Sequence, residues 1–328
     1  MDRFTGIPKV LLGLALLCSI AAGQKAGGDI RVPKDYQAPP MTSTATLTTI
    51  LSDAVRQIVA TKPDLKESEI AVTLIDLRET TKWQTGEFRG GERIYPASVV
   101  KLFYLAAIER MLEDKQVPAS PELERGIRDM IVDSSNEATQ YILDVITGTS
   151  SGAELPKKQF EKWQFKRNRV NRFLSSLGYT NINANQKTFC EDAYGIEQQS
   201  RNYKSENRNA LTTNAVARLM AEIVTGRINT PERTASMMTL LSRDWSKASS
   251  DTDNQATGFT GRMLIAKNLT ATKLWSKAGW TSKARHDAAY IETPDGLKLV
   301  LVIFTENHAN DRDIIPAIAA NILEKLRD

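Results

Sequence analysis

Apolar positions along the chain change their spacing several times, and each change predicts a different kind of element. From Leu47 to Ala60 they recur every three or four residues, the period of an amphipathic helix, which Lys62-Pro63 ends. Between Glu69 and Leu77 they alternate, with Ile70, Val72 and Leu74 on one side, and a second run over Lys82–Glu87 completes a hairpin. After Pro96 the period becomes helical. It predicts a helix over Ser98–Glu113, one or two across Pro121–Thr147, and another through Lys157–Arg172. Thr213 or Asn214 caps a helix that runs to Val224 and stops at Gly226, and Asn229 or Thr230 before Pro231 opens the next, to Leu241. Strand-like runs follow at Lys273–Lys277, Ala288–Glu292 and Leu297–Thr305, with a turn at Pro294-Asp295-Gly296, before a last helix over Asp313–Leu326. Strands near both ends can join one sheet. The expected fold is α+β: an antiparallel sheet flanked by helices, an all-helical lobe inserted at about 97–240, and a cleft between them.

The first residues follow another rule. Arg3 and Lys9 precede an apolar run of 11 residues, Val10 to Ile20, and then the small residues Ala21, Ala22 and Gly23. A membrane-spanning helix needs about 20 such residues, so the segment reads as a secretory signal over 1–23. The expected location is secreted or periplasmic, with no stable membrane span after cleavage. Residues 24–45, rich in Gly, Pro and Lys, read as a flexible leader, and 46–328 as one catalytic domain.

Composition excludes little. The chain is 41% hydrophobic and 25% charged with a net charge of +4, an ordinary globular balance that does not argue for nucleic acid. Without Cys18 of the signal, only Cys190 remains, so no internal disulfide is expected; Cys190 reads as a passive small apolar residue. The histidines His286 and His308 both fall in or beside strand-like runs and read as structural. No zinc-type cysteine spacing occurs, and no metal or organic cofactor is implied. From Lys157 to Arg172, seven basic residues stand against one acid, Glu161. Two readings apply, a patch for an anionic partner and the solvated face of an inserted helix, and the second is the expectation.

The chemistry begins at Ser98. From Ser98 to Ile108 the helix is apolar nearly all round, and Lys101 is its only charge. A lysine in such a place is paired or has a lowered pKa. Three residues put it on the same face as Ser98, where a desolvated amine can take the hydroxyl proton and make the serine a nucleophile. The helix start adds N–H groups and a dipole that favour developing negative charge. Alone the pattern is weak, since a chain this long holds about one S-x-x-K by chance. Two further groups sharpen it. Ser134-Ser135-Asn136 falls at a junction of helices, where Ser134 can relay a proton to a leaving nitrogen and Asn136 can hold a substrate amide. Lys277-Ala278-Gly279-Trp280-Thr281 lies on a strand. There Lys277 offers a positive charge to a substrate carboxylate, Gly279 lets a substrate backbone approach, and the Trp280 N–H can join that of Ser98 in an oxyanion hole.

In this order the motifs Ser98-Val-Val-Lys101, Ser134-Ser-Asn136 and Lys277-Ala-Gly279 resemble the S-x-x-K, S-x-N and K-[ST]-G set of the serine β-lactamases and penicillin-binding D,D-peptidases. Thr212-Thr213 ahead of a helix also resembles a class A β-lactamase segment. The resemblance covers about 46–328. It implies a β-lactamase/transpeptidase-like fold, a Ser98 acyl-enzyme, and a β-lactam or cell-wall peptide as substrate, in a protein expected to be a monomer. Three departures stand out. Ala278 replaces the hydroxyl of the third motif, for which Thr281 or Arg285 are candidate substitutes. The interval from Ser98 to Ser134 is short. No Glu-x-x-Leu-Asn loop supplies the glutamate that primes water in class A enzymes; counting back from Thr213, Glu197 is the nearest equivalent and Glu191 the second choice. The alternatives are a D,D-peptidase or esterase of the same fold, or a non-enzymatic penicillin-sensing or wall-binding module.

Overall fold

The computed structural model describes residues 29–327; the signal expected over 1–23 lies outside them. Six strands form one sheet in the order β1-β3-β2-β6-β5-β4. They are β1 (Met41–Ser43), β2 (Ile70–Asp76), β3 (Trp83–Phe88), β4 (Lys273–Trp280), β5 (Ala284–Glu292) and β6 (Lys298–Glu306). All neighbours pair antiparallel except β1 with β3. β2, from the first third of the chain, pairs with β6 from the last, so the sheet closes around the helical middle.

The helices are α1 (Ala45–Thr61), α2 (Lys101–Glu113), α3 (Pro121–Ile131), α4 (Asn136–Thr147), α5 (Lys157–Arg167), α6 (Arg169–Ser176), α7 (Ile196–Arg201), α8 (Thr213–Val224), α9 (Pro231–Leu241), α10 (Thr260–Ala266) and α11 (Ile314–Lys325). Two cores lie against the sheet. In one, Leu51 and Val55 of α1 and Ile318 of α11 pack on Leu74 and Ile303. In the other, α2 and α8 meet Ala71, Val300 and Val302. β2 and β6 serve both cores, so nearly every residue in them is buried.

Most elements fall where the spacing places them; the short helices α7 and α10 lie outside the expected set, and four further differences stand out. The expected leader is docked: Ile30 is buried, the Tyr36 hydroxyl bonds Glu222 Oε1 at 2.5 Å, and β1 pairs with β3. The cap of α8 is Thr212, whose side chain accepts from the Ala215 N–H. The basic stretch is two helices broken at Asn168. The helix expected from Ser98 opens as a 3-10 turn, Ala97–Val100, and becomes α-helical at Lys101. That last difference bears on the chemistry, because side chains at i and i+3 eclipse in a 3-10 turn.

Candidate active site

Ser98 is held at its place by the sheet. Its neighbour Ala97 has φ +46°, a left-handed conformation uncommon outside glycine. Two contacts sustain that strain. A carbon added at Gly279 would lie 2.8 Å from the Ser98 nitrogen and 2.9 Å from the Pro96 oxygen, so only glycine lets β4 lie this close to the turn. Beside it, His286 of β5 bonds the Tyr95 oxygen through Nε2 at 2.9 Å, while its Nδ1 accepts from the Thr305 N–H at 3.2 Å. Burial lowers the His286 pKa to about 4, so the ring is neutral. With both nitrogens engaged by backbone, His286 positions the Ser98 turn.

β4 is an edge strand, and the alternation of its ladder sets where its N–H groups point. The Thr281 N–H bonds the Ala284 oxygen, so by alternation the Ala278 and Trp280 N–H groups point away from β5. Gln255 Oε1 takes that of Ala278 at 3.3 Å. The Trp280 N–H faces the same open edge by alternation, and the neighbouring residue Gly279 packs against the Ser98 nitrogen at the helix start.

Lys101 is fully buried. Its Nζ donates to the Ser134 oxygen at 2.5 Å, to Ser134 Oγ at 3.2 Å and to Asn136 Oδ1 at 3.0 Å. No carboxylate is among these partners. Burial brings its pKa down to about 7, partly opposed by the charges of Glu137 and Cys190. Ser98, half-buried one 3-10 turn earlier, is not among the partners of the amine in this resting arrangement. Ser134 itself has φ +56°, and this strained corner between α3 and α4 turns both its oxygens toward Lys101.

Lys277 approaches Ser134 from the sheet. Its Nζ lies 3.0 Å from Ser134 Oγ, 2.6 Å from Gln255 Oε1 and 2.8 Å from the Ala278 oxygen. Burial pushes this amine well below the ordinary lysine range, and the nearby charges of Lys101 and Arg243 push it further. A hydroxyl has one hydrogen and two lone pairs. Ser134 can therefore accept from one amine while donating to the other, which makes it a proton path between them.

A groove of about 1300 Å³ is lined among others by Tyr95, Asn136, Cys190, Glu191, Trp280 and Thr281; it meets these groups through Asn136, while Ser98, Lys101, Ser134 and Lys277 are not themselves among its lining residues. Glu197 is not among its lining residues. Both its oxygens are held by Arg167, at 2.8 and 2.7 Å, and Oε1 also accepts from Ser151 Oγ at 2.9 Å. Asp144 and Lys187 complete this buried cluster, their charged groups 2.6 Å apart. The carboxylate expected to prime water is thus a clamp on the segment 187–197. Thr281 lines the groove, but its Oγ1 accepts from the Lys283 and Ala284 N–H groups and closes the hairpin turn. Arg285 is committed to Asp253 at 2.6 Å, so it does not replace the missing hydroxyl.

Two residues escaped sequence reasoning. Gln255 joins Lys277 to the segment before Ser134, donating to the Ile131 and Val132 oxygens at 3.2 and 2.9 Å; it lies in a loop with no periodic signal. Cys190, expected to be a passive apolar residue, is exposed, and Asn136 Nδ2 points at its Sγ from 3.5 Å.

Comparison with known proteins bears on the fold and the family. No curated protein matches the chain. Among solved structures the fold is similar to PBP-A, at 15% identity over 89% of this chain and 99% of that one, with a TM-score of 0.59. It is also similar to a β-lactamase from Sphaerobacter thermophilus, at 18% identity over 84% and 96%, TM-score 0.58. The TLA-1 extended-spectrum β-lactamase aligns at 14% identity over 86% and 99%, TM-score 0.60. At these identities the likeness is one of fold. The sequence profile of the β-lactamase enzyme family matches residues 109–326, a stretch that begins after Lys101 and takes in Ser134, Asn136 and Lys277. The chain belongs to the β-lactamase enzyme family, a serine hydrolase of the β-lactamase type.

Proposed function

We propose that the protein is an exported, class A-like β-lactamase that opens β-lactam amides through an acyl-enzyme on Ser98. One observation carries the reading: the Ser134 hydroxyl lies 3.2 Å from Lys101 Nζ and 3.0 Å from Lys277 Nζ, between an amine one turn from the serine and an amine on the substrate-facing strand. In acylation the Ser98 oxygen bonds the lactam carbonyl carbon while Lys101 takes its proton. The carbonyl oxygen gains charge facing the Ser98 and Trp280 N–H groups, where one such donor is typically worth about 2.7–4 kcal/mol in the transition state. The ring C–N bond then breaks, and Ser134 passes a proton to the departing nitrogen. Asn136 holds the amide side chain, and Lys277 draws the carboxylate. Glu191, which lines the groove, takes the role first expected of Glu197 and activates the water that releases the acyl group. The working form is a secreted or periplasmic monomer.

A second reading has its own support. Glu197 is committed to Arg167, and Ala278 offers no hydroxyl, so a D,D-peptidase with a long-lived penicillin adduct fits the same acylation machinery. Mass spectrometry of the protein mixed with benzylpenicillin, followed over time, separates the two. A label on Ser98 that appears and decays, with steady turnover of a chromogenic cephalosporin, is the expected result. A persistent label with D-alanine release from a muropeptide favours the peptidase. No label on Ser98 contradicts both.

A further inference from the structure

The basic stretch has no part in the groove, and the structure gives it a shape that a merely solvated face does not require. On α5, Lys158, Lys162 and Lys166 follow one another at intervals of four residues, so they share one side of the helix. All three are exposed, and none has an ion-pair partner among the described residues. Like charges at this spacing repel and weaken a helix. Between them Phe165 is 61% exposed, and the guanidinium of Arg172 on α6 sits 3.9 Å above its ring. These groups border a cleft of about 820 Å³ that shares no residue with the active-site groove.

A second observation points to what meets this face. Asp29, the first described residue, is fixed at the edge of the cleft. Its carboxylate pairs with Arg172 at 2.7 Å, and its carbonyl accepts from Gln116 Nε2 at 3.0 Å. The chain ahead of it carries the apolar run Val10–Ile20, separated by residues 21–28. That spacer reaches at most roughly 30 Å when extended. On the export proposed above, entry of the apolar run into a bilayer would keep Asp29, and the cleft edge it sits on, within about that distance of the bilayer surface.

We propose that the α5–α6 face docks on an anionic phospholipid bilayer, Lys158, Lys162 and Lys166 binding lipid phosphates while Phe165 enters the interface. Cations around an aromatic side chain are the pattern of a surface-binding segment, with the charges attracted to acidic headgroups and the ring seated at the apolar boundary. The face holds the protein at the surface without spanning it; no helix among the described residues is long and apolar enough to cross a membrane.

The test is co-sedimentation of the full chain, and of the processed chain beginning at Gln24, with vesicles of phosphatidylcholine alone or mixed with phosphatidylglycerol. The processed chain is expected to bind the mixed vesicles, less tightly as salt rises, and not the neutral ones, while the full chain binds the mixed vesicles at least as tightly. The triple change Lys158→Glu, Lys162→Glu, Lys166→Glu is expected to weaken binding by roughly a hundredfold or more, and Phe165→Ser by roughly tenfold. Lys162→Glu alone serves as a milder variant, and an unchanged thermal midpoint shows that each variant is folded. Equal binding of the processed chain to neutral vesicles, no loss in its triple variant, or binding by the full chain alone would overturn the proposal. So would binding of soluble polyphosphate with no binding of vesicles.

Discussion

Two buried cationic clusters stand in the molecule, one where the sheet meets the helical lobe and one within that lobe, and they differ in what they face. Around Ser134, the amines of Lys101 and Lys277 meet only neutral acceptors: a hydroxyl, two carbonyls and two side-chain amides. Around Glu197, the cations Arg167 and Lys187 meet two carboxylates, Glu197 and Asp144. Both clusters are removed from water, and a buried charge is costly unless it is paired. In the second cluster opposite charges offset that cost, and the result is a clamp. In the first no carboxylate bonds the amines and the more distant charges of Glu137 and Cys190 offset the cost only in part, so it appears as a lowered lysine pKa, which is what a general base needs. The partners, and not burial, decide which cluster is reactive.

The largest effect that sharpens this contrast is on reactivity. Lys101→Met is expected to slow penicillin labelling of Ser98 by roughly 10²–10⁴-fold, with no fall in the thermal unfolding midpoint, since an apolar side chain suits the site. A large loss of stability with labelling intact would make Lys101 structural and erase the distinction. Glu197→Gln tests the other cluster. Removing one partner of a buried pair is expected to lower stability by roughly 3–5 kcal/mol in urea unfolding, while folded protein still labels on Ser98. A stable variant that has lost only turnover would return Glu197 to the role of catalytic base. Gly279→Ala acts through geometry. Its added carbon, 2.8 Å from the Ser98 nitrogen, is expected to cost about 1–3 kcal/mol and to slow labelling by displacing the turn. Normal labelling in that variant would show that the placement of Ser98 tolerates the shift.

What the sequence disclosed follows from the range of the forces involved. The burial and unusual setting of Lys101 were legible because an isolated charge in an apolar helix is a local contradiction, visible without any fold. Ser134, Asn136 and Lys277 were legible only as a resemblance, since the contacts of Ser134 with Lys101 and Lys277 span 33 and 143 positions. Glu197 misled because a carboxylate at a plausible spacing carries no mark of its partner, and Arg167 lies 30 residues earlier on another helix. Gln255 left no trace, because its value is four bonds to distant groups. The docked segment before α1 was hidden for a related reason: Gly- and Pro-rich composition reads as flexible, yet Ile30 and Tyr36 find burial and a carboxylate partner far along the chain.

The central claim is that Lys101, with its pKa lowered to about 7, is the base that activates Ser98. Below that pH the amine is protonated and cannot take the serine proton, so the rate should fall tenfold for each unit; above it the rate should level off. The direct measurement is the rate of Ser98 acylation by penicillin across a pH series, read by mass spectrometry. The account predicts a rise that flattens near pH 7. A rate that keeps climbing toward the ordinary lysine range, or one indifferent to pH, would contradict it.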